Sequence, residues 1–277
     1  MKLAISNIAW PFEQFEQALQ IMSLHNVKGL EIAPGLIFPN EADPFSPSDQ
    51  AQRDVQSKLS DFGITMVSMQ SLLYGASGAE VFGGHAARKQ FQLGMERAIT
   101  LSGRLGIPNL VFGSPKARVI PDNMPQTQAL EIAVDVMSSL GDFAKAVNTK
   151  IAIEPCPKEY GTNFLNTTKQ AIEFCDAVNH PAITLNFDLG ALIMNDELQH
   201  YENAPPQGLH HISHIHISEP YLGPAPQDWR RLRKITQEIK NLGYQDWISI
   251  EMLGKKGSEL DQVDISLRNA IKSLKGS

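Results

Sequence analysis

A short apolar, β-branched run, a polar turn and a longer stretch with helical spacing recur in that order along the whole chain. Read as strands, the runs fall at 3–6, 29–32, 65–69, 109–112, 150–154, 183–188, 212–217 and 247–251. Helices are expected at 12–24, 47–62, 84–105, 126–147, 167–178, 229–242 and 259–274, with only the sixth connection short and irregular. Strands alternating with helices imply parallel pairing and right-handed crossovers. Eight such units imply closure, and 277 residues suit a (β/α)₈ TIM barrel, which takes about 250. An open doubly wound sheet would want a Gly-rich phosphate turn after the first strand. Here that strand leads into Asn7-Ile8-Ala9-Trp10-Pro11, and Phe82-Gly83-Gly84-His85 is no substitute. No linker or low-complexity block divides the chain, so 1–277 reads as a single domain.

Local punctuation agrees with this frame. Ser46-Pro47-Ser48-Asp49 supplies a helix cap with Pro in the first turn. Gly63, Gly106 and Gly243 each end a helix just before a strand, where a left-handed stop is expected. The composition, 42% hydrophobic with net charge −6, allows a large core and argues against a phosphate-backbone binder, which needs clustered Lys and Arg. No nucleic-acid partner is therefore expected. No apolar stretch approaches the ~20 residues of a membrane span. Cys156 and Cys175 form no CxxC pattern, and the first residues run straight into a strand with no secretory h-region. A cytoplasmic protein is the resulting expectation.

The chemistry gathers at strand ends. The last four strands read Ile151-Ala152-Ile153-Glu154, Leu185-Asn186-Phe187-Asp188, His214-Ile215-His216-Ile217 and Ile248-Ser249-Ile250-Glu251. A carboxylate in a buried parallel strand is costly unless something compensates its charge. Any one of these could be a strand cap or an ion-pair partner. Four at corresponding positions on consecutive strands, at the end of a barrel where active sites sit, point to a shared divalent cation. Three carboxylates and one imidazole suit Mn²⁺, Mg²⁺, Co²⁺ or Zn²⁺ alike.

The segments "IAIEP", "LNFDLG", "HIHISEP" and "ISIEM" resemble the xylose-isomerase-like TIM barrel superfamily, the sugar phosphate isomerase/epimerase family. That superfamily also holds endonuclease-IV-type enzymes and inosose dehydratases. The resemblance covers nearly the whole chain and is specific in the four strand-end motifs. It implies that Glu154, Asp188, His216 and Glu251 hold one metal ion, with His216 rather than His214 as the ligand of the H-x-H pair. It further implies that Glu154 and Glu251 act as the acid/base pair on opposite faces of a sugar, exchanging a proton through a metal-stabilised enediolate. The ketose epimerase branch usually has a His three residues after the strand-six Asp; here that place is Ala191. The polar group expected six residues past the strand-five Glu is Tyr160.

Other residues are candidate substrate contacts. Lys116 or Arg118, in the loop after strand four, could hold a phosphate or carboxylate, or be plain exposed basic residues. Glu31 and Gln70, at the ends of strands two and three, could line the cavity or anchor loops. Trp10 could form a sugar-stacking wall or pack in the core. Glu219 could bind a hydroxyl. His214 shares a face with His216, as a support for the ligand or a satisfied core histidine.

The sequence thus predicts a metal-dependent isomerase or epimerase acting on a small sugar or sugar phosphate. A metal-dependent dehydratase or lyase on a polyol or keto-sugar would share the same metal set. A non-catalytic binding barrel draws its support from Ala191. An abasic-site endonuclease would need more strand-end histidines and a basic rim. A homo-oligomer would suit the resemblance, although no segment marks an interface.

Overall fold

The computed structural model describes residues 1–201 and 208–274. Eight strands, β1 Lys2–Ser6, β2 Gly29–Ile32, β3 Thr65–Met69, β4 Asn109–Phe112, β5 Lys150–Ile153, β6 Ile183–Asp188, β7 Ile212–Ile217 and β8 Trp247–Ile250, close into a barrel in sequence order. Every pairing is parallel, including β1 with β8. The fold is a single TIM barrel, as the repeated pattern predicts.

The outer helices are α1 Phe15–Leu24, α2 Pro34–Ile37, α3 Asp49–Asp61, α4 His85–Leu105, α5 Gln126–Ala146, α6 Thr168–Val178, α7 Leu189–Met194, α8 Leu198–Tyr201, α9 Trp229–Asn241 and α10 Glu259–Leu274. Their apolar faces and the outward faces of the strands form one continuous core, with residues such as Leu19, Met22, Phe91, Met95, Leu140, Ile235 and Leu267 buried. Gly63, Gly106 and Gly243 have φ of +60°, +68° and +91°, so each is the left-handed stop its position called for. Among the described residues no helix is long and apolar enough to cross a membrane.

Three local expectations need correction. Pro47 is not in the first turn of α3: Ser48 is the N-cap and its hydroxyl accepts from the Ala51 amide, leaving Pro47 outside. The sixth connection is helical in part, because the Asp188 carboxylate caps the short α7. Strand pairing ends at Ile153 and Ile250, so Glu154 and Glu251 stand one residue beyond the ladder, at the start of their loops.

The barrel interior is polar toward its carboxyl end. Ser6, Glu31, Asn186, His214, His216 and Ser249 are all buried. Ser6 and Glu31, Asn186 and His214, and His216 and Ser249 are register partners on neighbouring strands, whereas Glu31 on β2 and the β7 histidines meet only across the interior.

Candidate metal centre and active site

β7 carries the pivotal side chain. The period of two that puts His214 and His216 on one face aims both rings into the barrel. His216 is fully buried. Its Nδ1 lies 3.0 Å from Glu154 Oε1, 3.3 Å from Glu251 Oε2 and 3.5 Å from Asp188 Oδ2. Despite these distances Nδ1 meets no hydrogen-bond geometry. The four ligand atoms lie within 4.8 Å of one another. The sequence-predicted set is therefore one cluster.

Two of the three carboxylates, Glu154 and Asp188, are held from behind. Glu154 Oε1 accepts from Asn186 Nδ2 at 2.8 Å, and Gly113, just past β4, leaves room for its other oxygen. A Cβ at Gly113 would sit 2.3 Å from Glu154 Oε2. Asp188 accepts from the Ala191 amide at 2.6 Å and from the Ser218 hydroxyl at 2.7 Å. Ser218 in turn accepts from the Gly190 amide at 2.8 Å. On its far side His216 Nε2 stands 3.1 Å from both oxygens of Glu31, and His214 Nε2 stands 3.0 Å from Oε2. Gln70 donates to Glu31 at 2.9 Å and to Ser6 at 2.7 Å. A carboxylate that takes one ring nitrogen of a histidine fixes the ring and leaves the other nitrogen to a metal.

The electrostatics show how the charges of the cluster compete. Burial raises the Glu251 carboxyl, the His216 ring pulls it back, and the Glu154 and Asp188 charges add to the rise, leaving it at about 7. Burial likewise disfavours a charged His216, yet the surrounding carboxylates, Glu31 foremost, hold its pKa well above the usual imidazole value. Burial would also raise Glu31. The His216 charge and the two close imidazoles outweigh it and keep that carboxyl well below the usual range. Three carboxylates converging on one buried imidazole concentrate negative charge that a divalent cation would offset. The donor set fits one divalent ion held by Glu154, Asp188, His216 and Glu251.

A cavity of about 190 Å³ opens onto this cluster. Glu154, Asp188 and Glu251 form its floor, and Cys156, Tyr160, Ala191, Glu219 and Leu222 line its walls. Tyr160 and Glu219 thus line the cavity above the cluster. The Tyr160 hydroxyl accepts from the Tyr221 amide at 3.1 Å, and Glu219 Oε1 accepts from the Gln227 amide at 2.8 Å. Burial drives the Cys156 thiol up to about 12 despite nearby Arg118.

Other expected substrate contacts stand elsewhere. Glu31, Gln70 and His214 lie beneath the floor, because Glu31 crosses the barrel to the β7 histidines. Trp10 is packed in the core. Arg118 is fully buried, its Nη2 donating to the Glu154 carbonyl at 2.6 Å. Lys116 is exposed and lines a separate cavity beyond Pro115. Sequence reading passed over Asn186, Ser218 and Gly113. Asn186 had a signal: it lies two residues before Asp188 and so shares its face.

A family model described as the xylose isomerase-like TIM barrel matches residues 19–274. A probable ketose 3-epimerase of Synechocystis sp. is 26% identical over 168 residues, 60% of this chain, and the match spans only 57% of that relative. Among solved structures, apo 3-keto-D-glucoside 4-epimerase of E. coli aligns with a TM-score of 0.76 at 14% identity, covering 97% of this chain and 98% of its own. The IOLI protein with a bound zinc atom aligns at 0.69 and 17% identity, covering 99% and 96%. At such identities the structural likeness speaks for the fold alone. The family match is of another order, because it runs through all four strand-end motifs, and the chain belongs to the xylose isomerase-like TIM barrel family.

Proposed function

We propose that the protein is a divalent-metal-dependent epimerase or isomerase of a small ketose or keto-sugar. The observation that carries this reading is the orphaned Nδ1 of buried His216, faced at 3.0–3.5 Å by carboxylates from three other strands. The names of the Synechocystis relative and of the E. coli structural neighbour, both sugar epimerases, support the reaction class. The zinc atom in IOLI supports a metal on this fold.

A cation held by the four ligands would polarise a sugar carbonyl and stabilise negative charge developing beside it. The chain supplies the remaining chemistry. Glu154 and Glu251 both reach the cavity, and between them they accept and return a proton at carbon. One takes the proton from the carbon next to the carbonyl, and the other delivers a proton to the opposite face. Asn186 and the space at Gly113 fix the orientation of Glu154. Glu31 fixes His216. Tyr160 and Glu219 present a hydroxyl and a carboxylate to the sugar's own hydroxyls. Ala191 makes the cavity wall small where related ketose epimerases carry a histidine, so the substrate meets a different contact there.

The test is turnover of ketoses, aldoses and their phosphates in D₂O by protein loaded with Mn²⁺, Co²⁺ or Zn²⁺, followed by NMR. The expected product carries deuterium at the inverted or newly protonated carbon, and Glu154→Gln and Glu251→Gln each abolish its formation. Loss of water from a substrate would identify a dehydratase instead. No turnover and no solvent exchange with any sugar would refute the proposal.

A further inference from the structure

The cavity over the metal ligands is small, about 190 Å³, whereas ligand cavities commonly measure about 300–1,000 Å³. Immediately across Pro115, which lines both, lies a second cavity of about 590 Å³. It is built from the loop after β3 and the loop after β4, both at the active-site end of the barrel. Its walls are mostly apolar: Leu73, Tyr74, Ala76, Ala79 and Ala117.

The aromatic wall is constructed rather than incidental. Tyr74 is 61% exposed, with its ring close over Gly35 and its backbone carbonyl bonded to Arg97. Gly35 has no side chain where a Cβ would come within 2.9 Å of the ring. The Tyr74 carbonyl accepts from Arg97, whose guanidinium pairs with Asp43 at 3.1 Å and lies over the Phe45 ring at 4.1 Å. The two loops are tied together by the Val81 amide, which donates to the Ala117 carbonyl at 2.8 Å. Two non-glycine residues lining the cavity, Ser71 and Ser114, have φ of +58° and +42°. Such strain persists where surrounding structure enforces it, and it concentrates at binding sites. An aromatic face held in water by this much structure is pre-organised for a ring.

We infer that this second cavity is a subsite for an apolar, ring-bearing substituent, so that the substrate is a keto-sugar carrying an aromatic or similar apolar group rather than a bare monosaccharide. The inference rests on the proposed sugar site in assigning the small cavity to the sugar ring. With the sugar on one side of Pro115, the substituent lies on the other, against Tyr74, with the exposed Lys116 at its outer edge.

The experiment is calorimetric titration of metal-loaded protein with paired methyl and 4-nitrophenyl 3-keto-glycosides of glucose, galactose and mannose, both anomers. At least one aryl glycoside should bind about tenfold or more tighter than its methyl partner. Tyr74→Ala should reduce that ratio about fivefold, the scale of one lost ring contact. Lys116→Trp, which places bulk in the cavity, should bring the ratio to about one. The inference fails if aryl and methyl partners bind alike throughout, if the preference survives both variants, or if no glycoside binds. Free-ketose turnover on the same preparations separates the two readings. Turnover without aryl preference removes only the subsite. Tyr74-dependent aryl binding without any sugar turnover removes the reaction and leaves the subsite.

Discussion

Replacing Gly113 by Ala perturbs the centre without touching a ligand. The added Cβ would lie 2.3 Å from Glu154 Oε2, and ordinary contact begins near 3.4 Å, so the oxygen must retreat by about an ångström. A free carboxylate would yield cheaply, but this one is held through Oε1 by Asn186 at 2.8 Å and stands 3.0 Å from His216 Nδ1. Moving it disturbs both contacts and pulls one ligand off the metal position. Misplacing a reacting group by about 1 Å can lower a rate about 100-fold, or about 2.7 kcal/mol of transition-state stabilisation. Support of a metal ligand is worth about 10–100-fold in affinity. Folding should be spared: Gly113 is not among the left-handed glycines, and Gly→Ala at a compatible position tends to stabilise slightly. Calorimetric titration of Mn²⁺ into the apo protein, initial rates and a thermal melt together test this. Gly84→Ala serves as control, since no atom lies within 4 Å of its Cβ. If Gly113→Ala kept metal affinity and turnover within about twofold of the parent, Glu154 would not be confined as described.

Further variants separate the supports of the site. Glu31→Gln removes the charge behind His216, and Mn²⁺ affinity should fall about 10–100-fold; an unchanged titration would show that Glu31 does not orient the ligand. Asn186→Ala removes a hydrogen bond to a carboxylate, worth about 1.5–3 kcal/mol, so kcat/KM should drop at least about tenfold, and an unaltered value would contradict its role. Far from the site, Cys175 is buried with its Sγ donating to the Thr184 carbonyl at 3.3 Å, and burial pushes the thiol up to about 12. The folded state therefore keeps this proton where the unfolded chain, at the ordinary thiol value of 9.0, has lost it. That contribution is complete below pH 9 and is lost as pH rises from there, by up to about 1.4 kcal/mol per pH unit. Urea unfolding from pH 8 to 10.5 should show the wild type losing stability faster than Cys175→Ala; parallel slopes would refute the assignment.

What the sequence revealed, and what it concealed, follows from the range of the forces involved. Strand positions were legible because a buried parallel strand must be a short apolar run, and the candidate metal set because three carboxylates and a histidine at corresponding strand ends have no cheap joint explanation. The role of Glu31 was hidden. Its partners are on β7, and only barrel closure brings β2 across to them. Gly113 was hidden for a related reason: its importance is the volume it leaves for Glu154, a residue 41 positions away along the sequence. Trp10 and Lys116 follow strands as true rim residues would. Their loops nevertheless turn one into the core and the other toward the neighbouring cavity, and no residue pattern encodes that turn.

The central claim is that Glu154, Asp188, His216 and Glu251 hold one divalent ion. Elemental analysis of protein purified without chelator and then incubated with Mn²⁺, Co²⁺ or Zn²⁺ tests it most directly, beside a Glu154→Gln, Glu251→Gln double variant. The account predicts close to one ion per chain in the parent and little in the variant, with both folded by circular dichroism. A parent that stays metal-free, or a variant that binds as much as the parent, would contradict it.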